Sequence, residues 1–260
     1  MLKNKVALIT GSTSGIGLGI ARKFASMGAT LAINGFGDVD EIQGIVTELS
    51  QTSNAPVKYY PTDMSDGDAI DAMMATIATE LGAIDILVNS AGIQHVSPIE
   101  EFPTDKWNAI IAINLTSSFH TTRAVVGAMK SRGWARIINI ASAHSLAASP
   151  YKSAYVAAKH GIAGLTKTIA LETAEHGITV NAVSPGYVLT PLVSAQIPAT
   201  AQARGITEEE VVRDVLLAAQ PTKEFITIQD VAHTVAFLCE DAAKGITGTN
   251  ISMDGGWTAK

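Results

Sequence analysis

Val6-Ala-Leu-Ile-Thr10-Gly11-Ser-Thr-Ser-Gly15-Ile16-Gly17 decides how this chain is read. The first five residues are a short apolar run of strand type, and three spaced glycines follow at once. Ile16, Ile20 and Phe24 then recur at helical spacing, and Gly28 suits the stop of that helix. The loop therefore joins a strand to a helix. At such a junction backbone N–H groups and the positive end of the helix dipole face an anion, and glycines admit a pyrophosphate without Cβ collisions. A plain tight turn needs glycine but not the buried strand before it and the amphipathic helix after it, so the combination points to a dinucleotide.

Working outward, strand-like runs recur at 30–34, 57–60, 84–89, 136–141, 179–184 and 250–253, with helical patterns between them. Alternation of this kind predicts one α/β domain over residues 1–260, a doubly wound Rossmann-type parallel sheet of about seven strands with helices on both faces. Its ligand cleft should lie beyond the carboxyl ends of the strands, and Gly11, Asp63, Gly92, Ser142 and Pro185 all fall there. A long excursion from Pro191 to Pro221 contains Thr207-Glu-Glu-Glu210, a capping box that predicts a helix over 211–219. An insertion of that length at the end of a strand is expected to be a lid over 191–220.

Ser153-Ala-Tyr155-Val-Ala-Ala-Lys159 places a phenol and an ammonium four residues apart, on one face of a helix. A phenol of pKa about 10 is a poor base at neutral pH, and a fixed cation beside it pulls that value down. Tyr-x-x-x-Lys is common by chance. Its weight comes from the dinucleotide loop and from Ser142, thirteen residues earlier.

The composition sets limits. Charged residues make up 16% of the 260, against roughly 25% in typical soluble domains, and hydrophobic ones 47%, which suits surface buried between subunits. A formal charge of -6 and the absence of a Lys/Arg run argue against nucleic acid. The apolar run after Met1-Leu-Lys-Asn-Lys is too short for a signal-peptide core, and no stretch approaches the roughly 18 residues of a membrane span. A soluble, cytoplasmic homo-oligomer with a small-molecule substrate is expected. Cys239 is the only cysteine and reads as part of a buried helix face. Histidines 95, 120, 160, 176 and 233 show no metal-ligand pairing, and no metal is expected.

With these pieces in place the chain resembles the short-chain dehydrogenase/reductase family from about Lys3 to its end. Thr10-Gly11-x-x-x-Gly15-Ile16-Gly17 is similar to the family's cofactor loop and Asn89-Ser90-Ala91-Gly92 to its fourth-strand motif. Asn114, Ser142, Tyr155 and Lys159 are similar to its catalytic tetrad, and Pro185-Gly186 with Thr190 to its nicotinamide segment. The resemblance implies cofactor contacts at Gly11, Thr13, Gly15, Ile16, Gly17, Phe36, Asp63, Met64, Asn89, Ala91, Gly92, Tyr155, Lys159, Pro185, Gly186, Val188 and Thr190. Ser90 stands where the family usually has a second Asn.

A narrower resemblance is to the branch of that family that oxidises the short 3-hydroxy acid D-3-hydroxybutyrate. It rests on Gly35-Phe36-Gly37, Ile93-Gln94-His95, Ala141-Ser142-Ala143-His144, Lys152, Gln196 and Asp254-Gly255-Gly256-Trp257. It implies that Gln94, His144, Lys152 and Gln196 hold the substrate carboxylate, and that Tyr187 and Trp257 line the pocket for the short chain. Tyr187 departs from the usual Trp. Read from the residues alone, Lys152 fits equally a solvated turn and His144 a hydrogen-bonded loop histidine.

The end of the second strand, Asn34-Gly-Phe36-Gly-Asp38, carries no cation to meet a 2′-phosphate, which predicts NAD. Asp38 is either the acidic partner of the ribose or the cap of the next helix. In the expected reaction Tyr155 takes the hydroxyl proton as hydride leaves for the nicotinamide, Lys159 sustains the phenolate and Ser142 donates to the substrate oxygen. Asn114, in a helix interior where Asn is a mediocre helix former, is either a binder of a water feeding Lys159 or, read from the residues alone, a tolerated polar residue. The alternatives are a short-chain reductase of another carbonyl compound, such as a 3-oxoacyl thioester or a sugar, and a noncatalytic dinucleotide sensor.

Overall fold

The computed structural model describes residues 2–259 apart from Ala195, and the side chains of Pro191, Leu192, Gln196, Ala199, Thr200 and Ala203 are likewise outside what it describes. Seven strands, β1 (Val6–Ile9), β2 (Thr30–Asn34), β3 (Val57–Tyr60), β4 (Ile86–Asn89), β5 (Ala135–Ile140), β6 (Ile178–Pro185) and β7 (Asn250–Met253), form one sheet in the order β3-β2-β1-β4-β5-β6-β7. Every pairing is parallel. Strand order reverses between β1 and β4, and a crevice must open there at the carboxyl ends.

Successive side chains of a strand point to opposite faces, so a strand buried on both sides reads as an unbroken apolar run. In β1, Ala7 and Ile9 enter one core cluster while Val6 and Leu8 enter the other. The first cluster takes its cover from Ile20 and Phe24 of α1 (Gly15–Ser26) and from Val231 and Val235 of α10 (Ile228–Leu238). The second takes Met73, Met74 and Ile77 of α3 (Gly67–Glu80), Val125 and Met129 of α5 (Ser117–Arg132) and Ile169 of α6 (Ser153–Thr173). The remaining long helix, α2 (Val39–Ser53), packs beside α1 and β3. The expected fold class therefore holds, with helices on both faces.

Three local expectations need correction. β4 starts at Ile86 rather than Ile84. The capping box at Thr207 and Glu210 forms, but it opens only the short α9 (Glu208–Glu210), and Val211–Leu216 continues as widened π turns instead of a regular helix to Ala219. Val211 and Leu217 are both buried on this path, so tertiary packing has overridden helix propensity. The third concerns Asn114. After α4 (Thr104–Ile111) the chain passes through a π-helical segment, Ala112–Thr116, and Asn114 sits in it rather than in a regular helix. The excursion after β6 also holds α7 (Pro191–Ser194) and α8 (Gln196–Arg204). Among the described residues no helix is long and apolar enough to cross a membrane.

Candidate active site

The glycine loop sits where β1 meets α1. Gly11 has φ +63, and a Cβ there would lie 2.8 Å from the Cα of Ala91, so loop and neighbouring strand end touch backbone to backbone. A Cβ at Gly17 would collide with the carbonyl of Gly11. The helix behind has Ser14 at its N-cap with no side-chain cap bond, and no acidic residue in its first turn. Its leading N–H groups are thus left for an anion, the condition a pyrophosphate requires. Thr13 Oγ1 donates to the Phe36 carbonyl at 2.8 Å and ties this loop to the end of β2.

One cleft of about 550 Å³ runs from this loop across the carboxyl ends of the sheet to Trp257. Of the residues expected to hold cofactor, Gly11, Thr13, Gly15, Ile16, Gly17, Phe36, Asp63, Met64, Ala91, Gly92, Pro185, Gly186, Val188 and Thr190 line it. So do Ser142, Tyr155, Lys159, Gln94, His144, Lys152, Tyr187 and Trp257. Asn89 does not. It is buried below the cleft, donating to Asn139 Oδ1 at 2.9 Å and accepting from Thr121 Oγ1 at 2.7 Å, so the expected cofactor contact becomes a brace between strands and α5. Gln196 opens α8, and its side chain lies outside the described residues. Asp38 turns out to be the cap of α2, accepting from the N–H groups of Asp40 and Glu41 at 2.9 and 3.1 Å.

Asn114 is buried, and its amide clasps one residue at both ends. Oδ1 accepts from the Ile93 N–H at 2.9 Å and Nδ2 donates to the Ile93 carbonyl at 3.0 Å. These two bonds fix the loop that carries Gln94. π turns widen a helix locally and recur at functional sites, which accounts for a polar side chain aimed inward here.

The α6 helix brings Tyr155 and Lys159 to the same wall. Lys159 is buried, its ammonium 5.5 Å from the Tyr155 ring centroid, and Nζ donates to the Ile140 carbonyl at 2.8 Å. Burial pushes the lysine down to about 8. For Tyr155 the expected lowering is reversed in the chain alone. Its ring is only half-buried, yet loss of water around the phenol raises its pKa, against a lowering contribution from Ser142 as hydrogen-bond partner and with a smaller raising one from Tyr187. Desolvation is the largest contribution, and the hydrogen bond of the ammonium goes to the Ile140 carbonyl.

Ser142 caps the short turn after β5, accepting from the His144 N–H at 3.2 Å. His144 is buried with both ring nitrogens engaged, Nδ1 with Ser142 Oγ at 3.3 Å and Nε2 with Ser149 Oγ at 2.9 Å. Burial first, then the Lys152 and His160 charges, push it down to about 4, so it is neutral near pH 7. A carboxylate reaches this imidazole only by displacing a serine. Ser149 had no signal in the sequence beyond its closeness to Lys152, and Gln220 had none at all. Gln220 is fully buried, its Oε1 accepting from the Tyr187 N–H and its Nε2 donating to the Glu224 carbonyl at 2.7 Å.

Fold and site together define an oxidoreductase of the Rossmann type with a phenol and a buried lysine on one wall of its cleft. Comparison with known proteins agrees. A family model described as enoyl-(acyl carrier protein) reductase matches residues 11–258. A D-beta-hydroxybutyrate dehydrogenase of Rhizobium meliloti (strain 1021) is 59% identical over 98% of this chain and 99% of its own length. One from Cupriavidus necator is 52% identical over the whole of both chains. The solved structure of a short-chain alcohol dehydrogenase candidate from Sinorhizobium meliloti 1021 superimposes with a TM-score of 0.86 at 31% identity, covering 100% of this chain and 98% of that one. The chain belongs to the short-chain dehydrogenase/reductase family, whose dehydrogenases work with a nicotinamide dinucleotide.

Proposed function

We propose that this enzyme oxidises D-3-hydroxybutyrate to acetoacetate, reversibly, with NAD as the acceptor. The observation that carries the reading is the meeting, in one cleft, of the glycine-lined phosphate cradle, Tyr155 with Lys159 and Ser142, and the donors Lys152 and Gln94. Identity above half with two D-beta-hydroxybutyrate dehydrogenases over full length supports the substrate.

When bound, the dinucleotide supplies the hydride acceptor; the protein supplies everything else. Gly11 to Gly17 hold its phosphates, and the cleft walls at Phe36, Asp63, Ala91 and Val188 hold the rest. Among the described residues, Lys152 at the N-cap of α6 and Lys159 within it are the only cations on the cleft lining, and the β2 end at Phe36 carries none. A 2′-phosphate at the β2 end would go uncompensated, which supports NAD over NADP. Ser142 donates to the substrate oxygen and Tyr155 exchanges the hydroxyl proton at its phenol oxygen. Lys152 supplies the charge for the substrate carboxylate, with Gln94 as a directional donor. His144, held between two serines, steadies Ser142 and joins the carboxylate contacts only when Ser149 gives way. The 191–220 segment, whose Val193 reaches the cleft, serves as the lid.

The same reading places the enzyme in ketone body metabolism, in the cytoplasm and as a homotetramer. The exposed Phe119 of α5 and Leu171 of α6, 44% and 81% accessible in the single chain, support burial against further copies. NAD reduction assayed with D-3-hydroxybutyrate, its mirror image, sugars and uncharged alcohols tests the substrate. The D-hydroxy acid should turn over fastest; fastest turnover of an uncharged alcohol would reject it.

A further inference from the structure

Where the related branch usually carries an indole, this chain has Tyr187, and its hydroxyl is not idle. Lys152 Nζ donates to Tyr187 Oη at 3.2 Å, and the ammonium also lies 5.4 Å from the centroid of that ring. An ammonium has three N–H donors and no acceptor, so in this pair the phenol oxygen receives and the lysine gives. The phenol's own proton therefore remains to be donated. Lys152, Tyr187 and Tyr155 all line the same cleft.

The ring is held from every side. Trp257 stacks on it at 6.0 Å between centroids with 5° between planes. Its backbone N–H is taken by the buried Gln220 and its carbonyl by the Ile226 N–H at 3.0 Å. Trp257 is itself fixed by the Asp254 turn, whose carboxylate accepts from Gly256 N at 3.1 Å and from Thr258 N at 3.0 Å. A hydroxyl fixed this firmly, and polarised by a neighbouring cation, is a preorganised donor for an anion.

We infer that Tyr187 is a specificity-determining residue that binds the substrate carboxylate, giving its O–H to one carboxylate oxygen while holding the Lys152 ammonium against the other. The inference rests on the proposed hydroxy-acid function and adds to it a group that accepts from Lys152 and donates to the carboxylate at once, which an indole at the same place, a donor only, could not do. The pocket wall is then a polar contact as well as an apolar one.

The test compares Tyr187→Phe and Tyr187→Trp with the unaltered enzyme, on D-3-hydroxybutyrate and on the uncharged 2-butanol, with butyrate binding followed by calorimetry. Tyr187→Phe keeps the ring and its stack on Trp257. It should raise KM for the acid about tenfold and weaken butyrate to the same extent, a loss several times larger than that on 2-butanol. Tyr187→Trp should behave like Tyr187→Phe toward butyrate. Equal loss on acid and alcohol would make Tyr187 a packing residue and overturn the inference, as would unchanged butyrate binding in either variant. An unaltered enzyme that ignores hydroxy acids would instead sink the proposed function, and the butyrate arm would still decide the role of Tyr187.

Discussion

Lys159 and Ile140 are joined by a 2.8 Å hydrogen bond that anchors the buried ammonium to the end of β5. The lysine is thereby placed beside the Tyr155 ring at 5.5 Å from its centroid, without reaching for the phenol oxygen. The two groups share one wall of the cleft, and the proton exchange proposed for Tyr155 depends on that wall. Replacing Tyr155 with Phe should lower kcat by about a thousandfold, within the usual range for a lost general acid–base group. NADH binding, followed by fluorescence, should persist. A variant with more than a tenth of the original kcat would remove Tyr155 from the chemistry.

Lys159 also makes a prediction about alkaline stability. Its pKa falls from 10.5 to about 8 on folding. Between those values the unfolded chain holds the proton and the folded chain does not, so stability rises with pH across the window. Relative to Lys159→Met, the unaltered protein should gain about 2 kcal/mol from pH 8 to pH 10 in urea unfolding. Parallel curves for the two proteins would show that the lysine is not the buried cation described.

His144 titrates with the same sense at acid pH. Depressed from 6.5 to about 4, it contributes stability that is full above pH 6.5 and is lost as pH falls toward 4. His144→Gln should flatten that part of the Tm profile; an unchanged slope between pH 6.5 and 4 refutes it.

Asp38 separates two uses of one carboxylate. As the cap of α2 it should cost about 1 kcal/mol of stability when changed to Ala, and much less when changed to Asn, which also caps. The preference for NAD over NADP should stay the same in both variants. A preference that shifts tenfold or more would return Asp38 to the ribose.

Asn114 closes a clasp on the Ile93 backbone. Asn114→Ala leaves the Ile93 N–H and carbonyl without their side-chain partner, which should cost about 1 kcal/mol in denaturant unfolding and raise KM for the hydroxy acid by freeing the Gln94 loop. Retained stability would show that the π segment is held by other means.

The parallel sheet was legible because both of its faces are covered. Strands such as Val6–Ile9 and the Ile86–Val88 part of β4 then appear as apolar runs, and glycines mark the place where a strand end must lie close to the next backbone. Most cleft residues were legible for a related reason: the carboxyl ends of parallel strands must converge, so a motif just past a strand is at the cleft wherever the strand is in the sheet. Asn89 failed that reasoning because it is the last residue within β4 and points into the brace with Asn139 and Thr121, not past the strand end.

By itself the sequence determined the layer architecture, the phosphate cradle and the pairing of Tyr155 with Lys159, because each follows from spacing along a single strand, turn or helix. Only the tertiary structure decided what each polar side chain answers to. Tyr187 meets Lys152 across 35 positions and Gln220 meets Tyr187 across 33. Burial, which turned the expected lowering of Tyr155 into a raising, belongs to the assembled fold. Desolvation and long-range hydrogen bonds depend on which atoms the packed elements bring together, and no local period encodes that.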